Sequence, residues 1–117
     1  MDANVTIYHN PRCSKSRQTL QLLREQGIEP EIIEYLKTPP DEATLARILE
    51  QLGLSAHELT RTGESLYKEL GLDQNPPSDA QMLRVLVENP KLIERPIVVT
   101  PQAAAIGRPP ENVLKLL

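Results

Sequence analysis

Aromatic and thiol side chains are scarce in this chain of 117 residues, which has no Phe, no Trp and a single Cys. Without Phe and Trp, the core must be built from Leu, Ile and Val, and the chain lacks the stacked aromatics that bind single-stranded nucleic acid. One cysteine excludes an internal disulfide and any zinc site that needs two or more thiolates. If Cys13 takes part in redox chemistry, its resolving thiol must therefore come from another molecule.

Strong net charge and long hydrophobic runs are also lacking. The net charge of −3 argues against a nucleic-acid-binding surface that covers the whole protein. Nothing resembles a transmembrane span or a signal peptide, so we expect a cytoplasmic protein with neither nucleic acid nor membrane as a partner. A composition of 39% apolar and 25% charged residues is typical of a globular protein, and the length suits one domain.

The most informative segment that is present surrounds the only cysteine, in His9–Arg17 (HNPRCSKSR). An apolar, strand-like stretch at residues 5–8 precedes it, and a helical pattern follows it. A thiol at such a turn meets the free N–H groups and the positive dipole end of a helix, which favour the thiolate and a bound oxyanion. Arg12, Lys15 and Arg17 add positive charge nearby. A buried, inert thiol is the alternative, and the polar surroundings argue against it.

The order of apolar patterns predicts an α/β fold. Residues 5–8, 14–26 and 30–35 form strand, helix and strand, which implies parallel strands and a right-handed crossover. Residues of about 38–90 are a helical insertion, with helices after Asp41, from Ser55, at 64–70 and after Ser78. Strands follow at 97–100 and 103–106. A C-terminal helix then begins at Pro109, and Val113, Leu114 and Leu117 are expected on one face. We expect one domain, residues 1–117.

Four ordered motifs carry a resemblance to a known family. The Cys13 loop, followed by Thr19-Leu20, resembles the active-site loop of the glutaredoxin-linked arsenate reductases, which have a thioredoxin/glutaredoxin-like fold. Arg61, Arg95 with the Pro-Ile-Val-Val-Thr-Pro that follows it, and Arg108 within Ile-Gly-Arg-Pro fall where that family places three oxyanion-binding arginines. The matches cover nearly the whole chain. Taken singly, each arginine would be read as a solvated surface residue.

The resemblance implies a reaction. Cys13 attacks arsenate held by Arg61, Arg95 and Arg108, and glutathione and then glutaredoxin supply the electrons that release arsenite. No bound cofactor or metal is expected; glutathione is a co-substrate. Arginine suits this role because its planar, permanently charged guanidinium matches the geometry of an oxyanion.

Other residues of the motifs are assigned supporting roles. Ser14, Lys15 and Ser16 contribute amides at the helix N-terminus, and Ser16 is also a candidate hydrogen-bond donor to the thiolate. His9 either ends the first strand or adjusts the reactivity of the Cys13 thiolate. The resemblance also predicts a cis peptide bond before Pro96.

Two other functions remain open from the sequence. Spx-type regulators share the fold and bind RNA polymerase, although they typically carry a C-x-x-C switch that this chain lacks. The second alternative is a glutathione-linked thiol protein that acts on another oxyanion or on a mixed disulfide.

Overall fold

The computed structural model describes residues 2–117, with side chains described from Asn4 onward. Internal contacts divide the chain into two compact units. One contains the residues up to Thr38 together with Arg95–Leu117, and the other is Pro39–Glu94. The second unit covers almost the same stretch as the predicted helical insertion, whereas the number of domains stays a prediction.

The first unit is built on a sheet of four strands. These are β1 (Asp2–His9), β2 (Pro30–Glu34), β3 (Ile97–Val99) and β4 (Ala104–Ile106). Their order is β2-β1-β3-β4, with β1 and β2 parallel and the other two pairs antiparallel. Parallel neighbours need a crossover, and helix α1 (Ser14–Glu25) supplies it. The predicted strand-helix-strand start and the returning strand pair are therefore confirmed.

One face of α1 packs into the core beside the sheet. Residues spaced i, i+3, i+4 and i+7 along the helix are buried, as expected for a helix with a single apolar face. The core cluster combines α1 with the strands and the C-terminal segment: Val5, Ile7, Leu20, Leu23, Val98, Ala105 and Val113. This packing fixes β1 against α1, and the cysteine loop connects the two.

The C-terminal helix is a 3₁₀ helix, Pro110–Leu116, where the sequence pattern predicts an α-helix. Its period of three residues directs Pro110, Val113 and Leu116 inward. Val113 is fully buried, but Leu114 and Leu117 are 37% and 52% exposed. The prediction that these two leucines share the buried face of Val113 is therefore wrong.

The second unit contains three α-helices, α2 (Glu42–Leu52), α3 (Ser65–Glu69) and α4 (Asp79–Glu88), and a 3₁₀ turn at Pro90–Leu92. Helix α2 begins where Asp41 accepts a hydrogen bond from the Thr44 N–H, and it ends at Gly53 in the left-handed conformation. Helix α4 begins with the predicted capping box of Ser78 and Gln81. Among residues 2–117, no helix combines the length and the apolar sequence that crossing a bilayer requires.

The predicted helix at Ser55 is absent from this unit. Ser55 and Glu58 make the reciprocal hydrogen bonds of a capping box, but the chain forms only turns. Thr60 pairs with Ile93 in an isolated β-bridge, and the Arg61 N–H bonds the Leu92 carbonyl at 2.7 Å. These bonds to a distant segment replace the next helical turn, which is why the local signal misleads.

Candidate active site

Cys13 is the N-cap of α1, with an extended backbone at φ −92° and ψ 123°. The residue is 8% exposed and is a free thiol. At an N-cap, the following amides have no carbonyl partner within the helix, and the dipole presents its positive end. The sulfur therefore lies where an approaching anion is stabilised. Ser14 and Lys15, the first two residues of α1, are exposed.

The loop that carries Cys13 is held by four hydrogen bonds. The Asn10 carbonyl accepts from the Cys13 N–H at 3.0 Å, and Asn10 Oδ1 accepts from the Arg12 N–H at 3.0 Å. The Asn10 N–H donates to Ser16 Oγ at 3.0 Å, and Arg17 Nη1 donates to the Pro11 carbonyl at 2.9 Å. The structural role of Asn10 was missed from the sequence, although asparagine before proline is a turn signal.

His9 ends β1 and lies beneath this loop, 6% exposed. Its Nδ1 lies 2.6 Å from Ser16 Oγ. Ser16 is fully buried and its oxygen accepts the Asn10 N–H, so Nδ1 is the acceptor among its hydrogen bonds for the hydroxyl proton. This pairing favours the neutral tautomer of His9 that is protonated at Nε2. Burial lowers the pKa of His9 from its ordinary 6.5, against an opposing effect of Glu34, and so favours the same neutral form. Ser16 thus bonds His9 and Asn10, and its predicted bond to the thiolate is not among its hydrogen bonds.

Arg108 lies beside the sulfur, and its oxyanion-binding role stays a prediction. Its Nη2 is 3.6 Å from Cys13 Sγ, and its Nε donates to the Arg95 carbonyl at 2.7 Å. A permanently charged guanidinium at this distance attracts negative charge on the sulfur or on an anion bound next to it.

Arg95 and Pro96 support this arrangement through their backbone. The Arg95–Pro96 peptide bond is cis, which confirms the prediction, and the Arg108–Pro109 bond is cis as well. The Pro96 carbonyl accepts the Gly107 N–H at 2.9 Å. Together with the bond from Arg108 to the Arg95 carbonyl, this contact ties the two proline-containing segments together. The role of the Arg95 side chain as an oxyanion ligand stays a prediction.

Gly107 allows the Arg108 segment to approach α1. A Cβ atom at residue 107 would overlap Thr19 Oγ1 and would lie 2.9 Å from Pro96 Cγ. Thr19 is fully buried and donates to the Lys15 carbonyl at 2.8 Å. Only glycine fits this contact without displacement. The sequence places Gly107 and Thr19 inside the motifs, but no local signal reveals that they touch.

Arg61 belongs to the second unit and is bound by carboxylates there. Its Nη1 lies 2.8 Å from Glu64 Oε2, and its Nε lies 3.6 Å from Glu94 Oε1. Lys91 Nζ is 3.8 Å from the other Glu64 oxygen. An anion that binds Arg61 must compete with these two glutamates. Its oxyanion-binding role stays a prediction.

Comparison with known proteins places the chain in a family. The ArsC family model matches residues 8–116. This chain belongs to the ArsC family. It is 56% identical to the uncharacterized protein YfgD of Escherichia coli K12, over 100% of this chain and 99% of the relative. It is 49% identical to an arsenate reductase of Neisseria meningitidis over 97% of both chains.

A solved structure confirms the fold. An arsenate reductase from Vibrio cholerae is similar over 99% of this chain and 100% of that one, with a TM-score of 0.93 and 52% identity. The thioredoxin-like α/β class predicted from the sequence is therefore correct for this ArsC family member.

The described part of this ArsC chain brings together a thiol, a helix N-terminus and an arginine. No group of three or more His, Cys, Asp and Glu side chains among those residues is arranged to hold a metal ion. The arrangement of Cys13 and Arg108 is suited to nucleophilic attack by sulfur on an oxyanion.

Proposed function

We propose that this chain reduces arsenate to arsenite in the cytoplasm, with Cys13 as the nucleophile and glutathione and glutaredoxin as electron donors. The observation that carries the proposal is the 3.6 Å approach of Arg108 Nη2 to the sulfur of a cysteine that caps a helix N-terminus. The arsenate reductase names of relatives such as the Neisseria protein support the choice of substrate.

The first step is attack of the Cys13 thiolate on arsenic. An S–As bond forms, and one As–O bond breaks, with the oxygen leaving as water after protonation. Arg108 stabilises the negative charge of the arsenate oxygens, and Arg61 and Arg95 contribute in the same way. Charge-assisted hydrogen bonds contribute about 1.5–3 kcal/mol each. Two or three of them account for the roughly 4–8 kcal/mol of millimolar-to-micromolar anion binding.

Electrons come from external thiols because this chain has one cysteine. A glutathione thiolate attacks Cys13 Sγ, an S–S bond forms, and the S–As electron pair stays on arsenic, which leaves as arsenite. Arsenic thus gains two electrons, and the two sulfurs lose them. A glutaredoxin thiolate then attacks the glutathione sulfur of the mixed disulfide and releases Cys13 as a thiolate.

A coupled assay tests the proposal by following NADPH oxidation with arsenate, glutathione, glutaredoxin and glutathione reductase. We expect arsenate-dependent turnover by the wild type and none by Cys13→Ser, which keeps the fold. Arg108→Ala removes one charge-assisted contact, so kcat/KM for arsenate should fall roughly 10- to 150-fold. Arg84→Ala is the matched control, because Arg84 is 70% exposed and pairs only loosely with Glu42 at 3.4 Å. Turnover by Cys13→Ser would overturn the mechanism.

The same assay separates the alternatives. Phosphate and a glutathionylated protein are supplied in place of arsenate at equal concentration. Turnover with the glutathionylated protein and none with arsenate would assign the chain to general thiol chemistry. Absence of all turnover, with recovery of RNA polymerase on the immobilised protein, would favour a regulator.

A further inference from the structure

A cleft of about 230 Å³ opens next to the cysteine loop, within the first unit. Its walls are the segment after β1, residues 9–12, and the segment after β2, with Glu34, Leu36 and Lys37. Neither the attack on arsenate nor the contacts of Arg108 uses it. Its volume is larger than a tetrahedral oxyanion needs and suits part of a small peptide.

One wall of the cleft carries a side-chain nitrogen without a protein hydrogen-bond partner. His9 is 6% exposed, and Ser16 occupies its Nδ1. The Nε2–H has no hydrogen-bond partner among residues 4–117. Nε2 is not one of the fully buried side-chain atoms that lack a hydrogen bond, so the atom keeps some exposure toward the cleft that His9 lines. This N–H is therefore available to an acceptor that enters the cleft.

Charged groups of both signs lie at the rim. Arg12 is exposed and forms no ion pair with any described residue. Lys37 Nζ lies 3.6 Å from Glu34 Oε1, with the two side chains 79% and 42% exposed. Such a surface pair contributes little to stability, so Lys37 is free to turn toward a carboxylate and Glu34 toward an ammonium group. The cleft thus offers cations and an anion to a zwitterionic ligand.

Apolar atoms complete the lining. Leu36 is 45% exposed, and Pro11 is exposed beside it in the lining. An exposed leucine at a cleft offers contact area to the methylene groups of a ligand. Polar donors, charges of both signs and an apolar wall together fit an amino-acid-like molecule better than an inorganic anion.

We propose that this cleft binds the amino-acid-like end of the peptide thiol co-substrate, glutathione, which carries a carboxylate and an ammonium group. The glutathione sulfur then reaches Cys13. The inference rests on the proposed function, since it assigns a site to the electron donor named there. Arg12 and Cys13 are adjacent, so their Cα atoms are about 3.8 Å apart, whereas an extended tripeptide spans roughly 10 Å. A ligand anchored at Arg12 therefore has the length to place its thiol at Sγ.

Steady-state kinetics test the site, because a residue that contacts only glutathione should change the KM for glutathione and leave the KM for arsenate unchanged. In Lys37→Gln we expect the KM for glutathione to rise about five- to tenfold, with the KM for arsenate unchanged. Lys115→Gln is the matched control, because Lys115 is an exposed lysine of the same unit that does not line the cleft. Equal KM values for glutathione in the two variants and the wild type would overturn the inference and leave the proposed function intact.

A binding measurement is independent of turnover. ¹⁵N-labelled Cys13→Ser is titrated with S-methylglutathione, which cannot form a disulfide, and in a second arm with arsenate. Amide shifts at His9, Arg12 and Lys37 with the peptide and not with arsenate support the site, even if the wild type proves inactive toward arsenate. Shifts at the same residues with arsenate alone would make the cleft an oxyanion site and refute the assignment.

Discussion

Substitution of Gly107 by Ala tests the contact that brings the Arg108 segment against α1. The added Cβ would overlap Thr19 Oγ1 and would lie 2.9 Å from Pro96 Cγ and 3.0 Å from Thr19 Cγ2. Thr19 is fully buried, and Pro96 is a ring that cannot rotate away. Gly107 has no positive φ, so the penalty is steric and does not come from its backbone conformation.

The magnitude follows from the cost of overpacking. An extra methyl group in a well-packed site typically costs 1–3 kcal/mol, and the rigidity of the neighbours favours a loss of about 2–3 kcal/mol. A small protein has a urea m value of about 1–3 kcal/mol/M, so the midpoint of unfolding should fall by about 0.7–3 M.

Urea unfolding followed by circular dichroism measures this loss. Gly63→Ala is the matched control, since a Cβ there meets nothing within 4 Å and its φ is not positive. That control should be neutral or more stable by about 0.4–1 kcal/mol. In a Thr19→Ala background, Gly107→Ala should cost about 1–2 kcal/mol less, because two of the three contacts are gone. Identical midpoints for Gly107→Ala and Gly63→Ala would refute the reasoning.

Three other predictions address the charge, the histidine and the C-terminus. Arg108→Lys keeps the charge but lacks the planar guanidinium that can donate to both the Arg95 carbonyl and the anion. We therefore expect kcat/KM for arsenate to fall roughly tenfold in the coupled assay, and an unchanged kcat/KM would contradict this. Because burial lowers the pKa of His9 in the folded state, the unfolded chain binds its proton first, so urea stability should fall as the pH drops below about 6.5. His9→Gln should lose less stability over this pH range. If stability falls equally steeply with pH in the variant and the wild type, the pKa of His9 is not lowered by folding. Val113→Ala should cost about 1–3 kcal/mol and Leu114→Ala less than about 1 kcal/mol, whereas the reverse order would exclude the 3₁₀ register.

Local signals predicted much of the fold. The Ser78 capping box and Gly53 mark helix ends correctly, because these hydrogen bonds and backbone angles form within a few residues of each other. The β-branched run Ile97–Val99 is a buried inner strand, as expected. These features need no information from distant parts of the chain.

The sequence-based predictions that are wrong have two causes. One is a contact with a distant segment, and the other is a small difference in the number of residues per helical turn. The capping box at Ser55 forms, but pairing of Thr60 with Ile93 prevents a helix. The C-terminal segment repeats every three residues instead of every 3.6, which moves Leu114 to the surface.

In the candidate site, too, individual residues could be predicted from motifs, whereas contacts between distant segments could not. Cys13 and Arg108 were predicted from their motifs, and the structure places them together. The contact of Gly107 with Thr19 joins segments 88 residues apart, and the pairing of Arg61 with Glu94 joins two distant loops. A single sequence carries no record of such pairings.

The most direct test of the account is the structure of a crystal soaked in arsenate without a thiol reductant. We expect arsenic bonded to Cys13 Sγ, with at least one of its oxygens within hydrogen-bonding distance of the Arg108 guanidinium. Arsenate bound elsewhere, with Cys13 and Arg108 unchanged in crystals of protein that is active in the coupled assay, would contradict it.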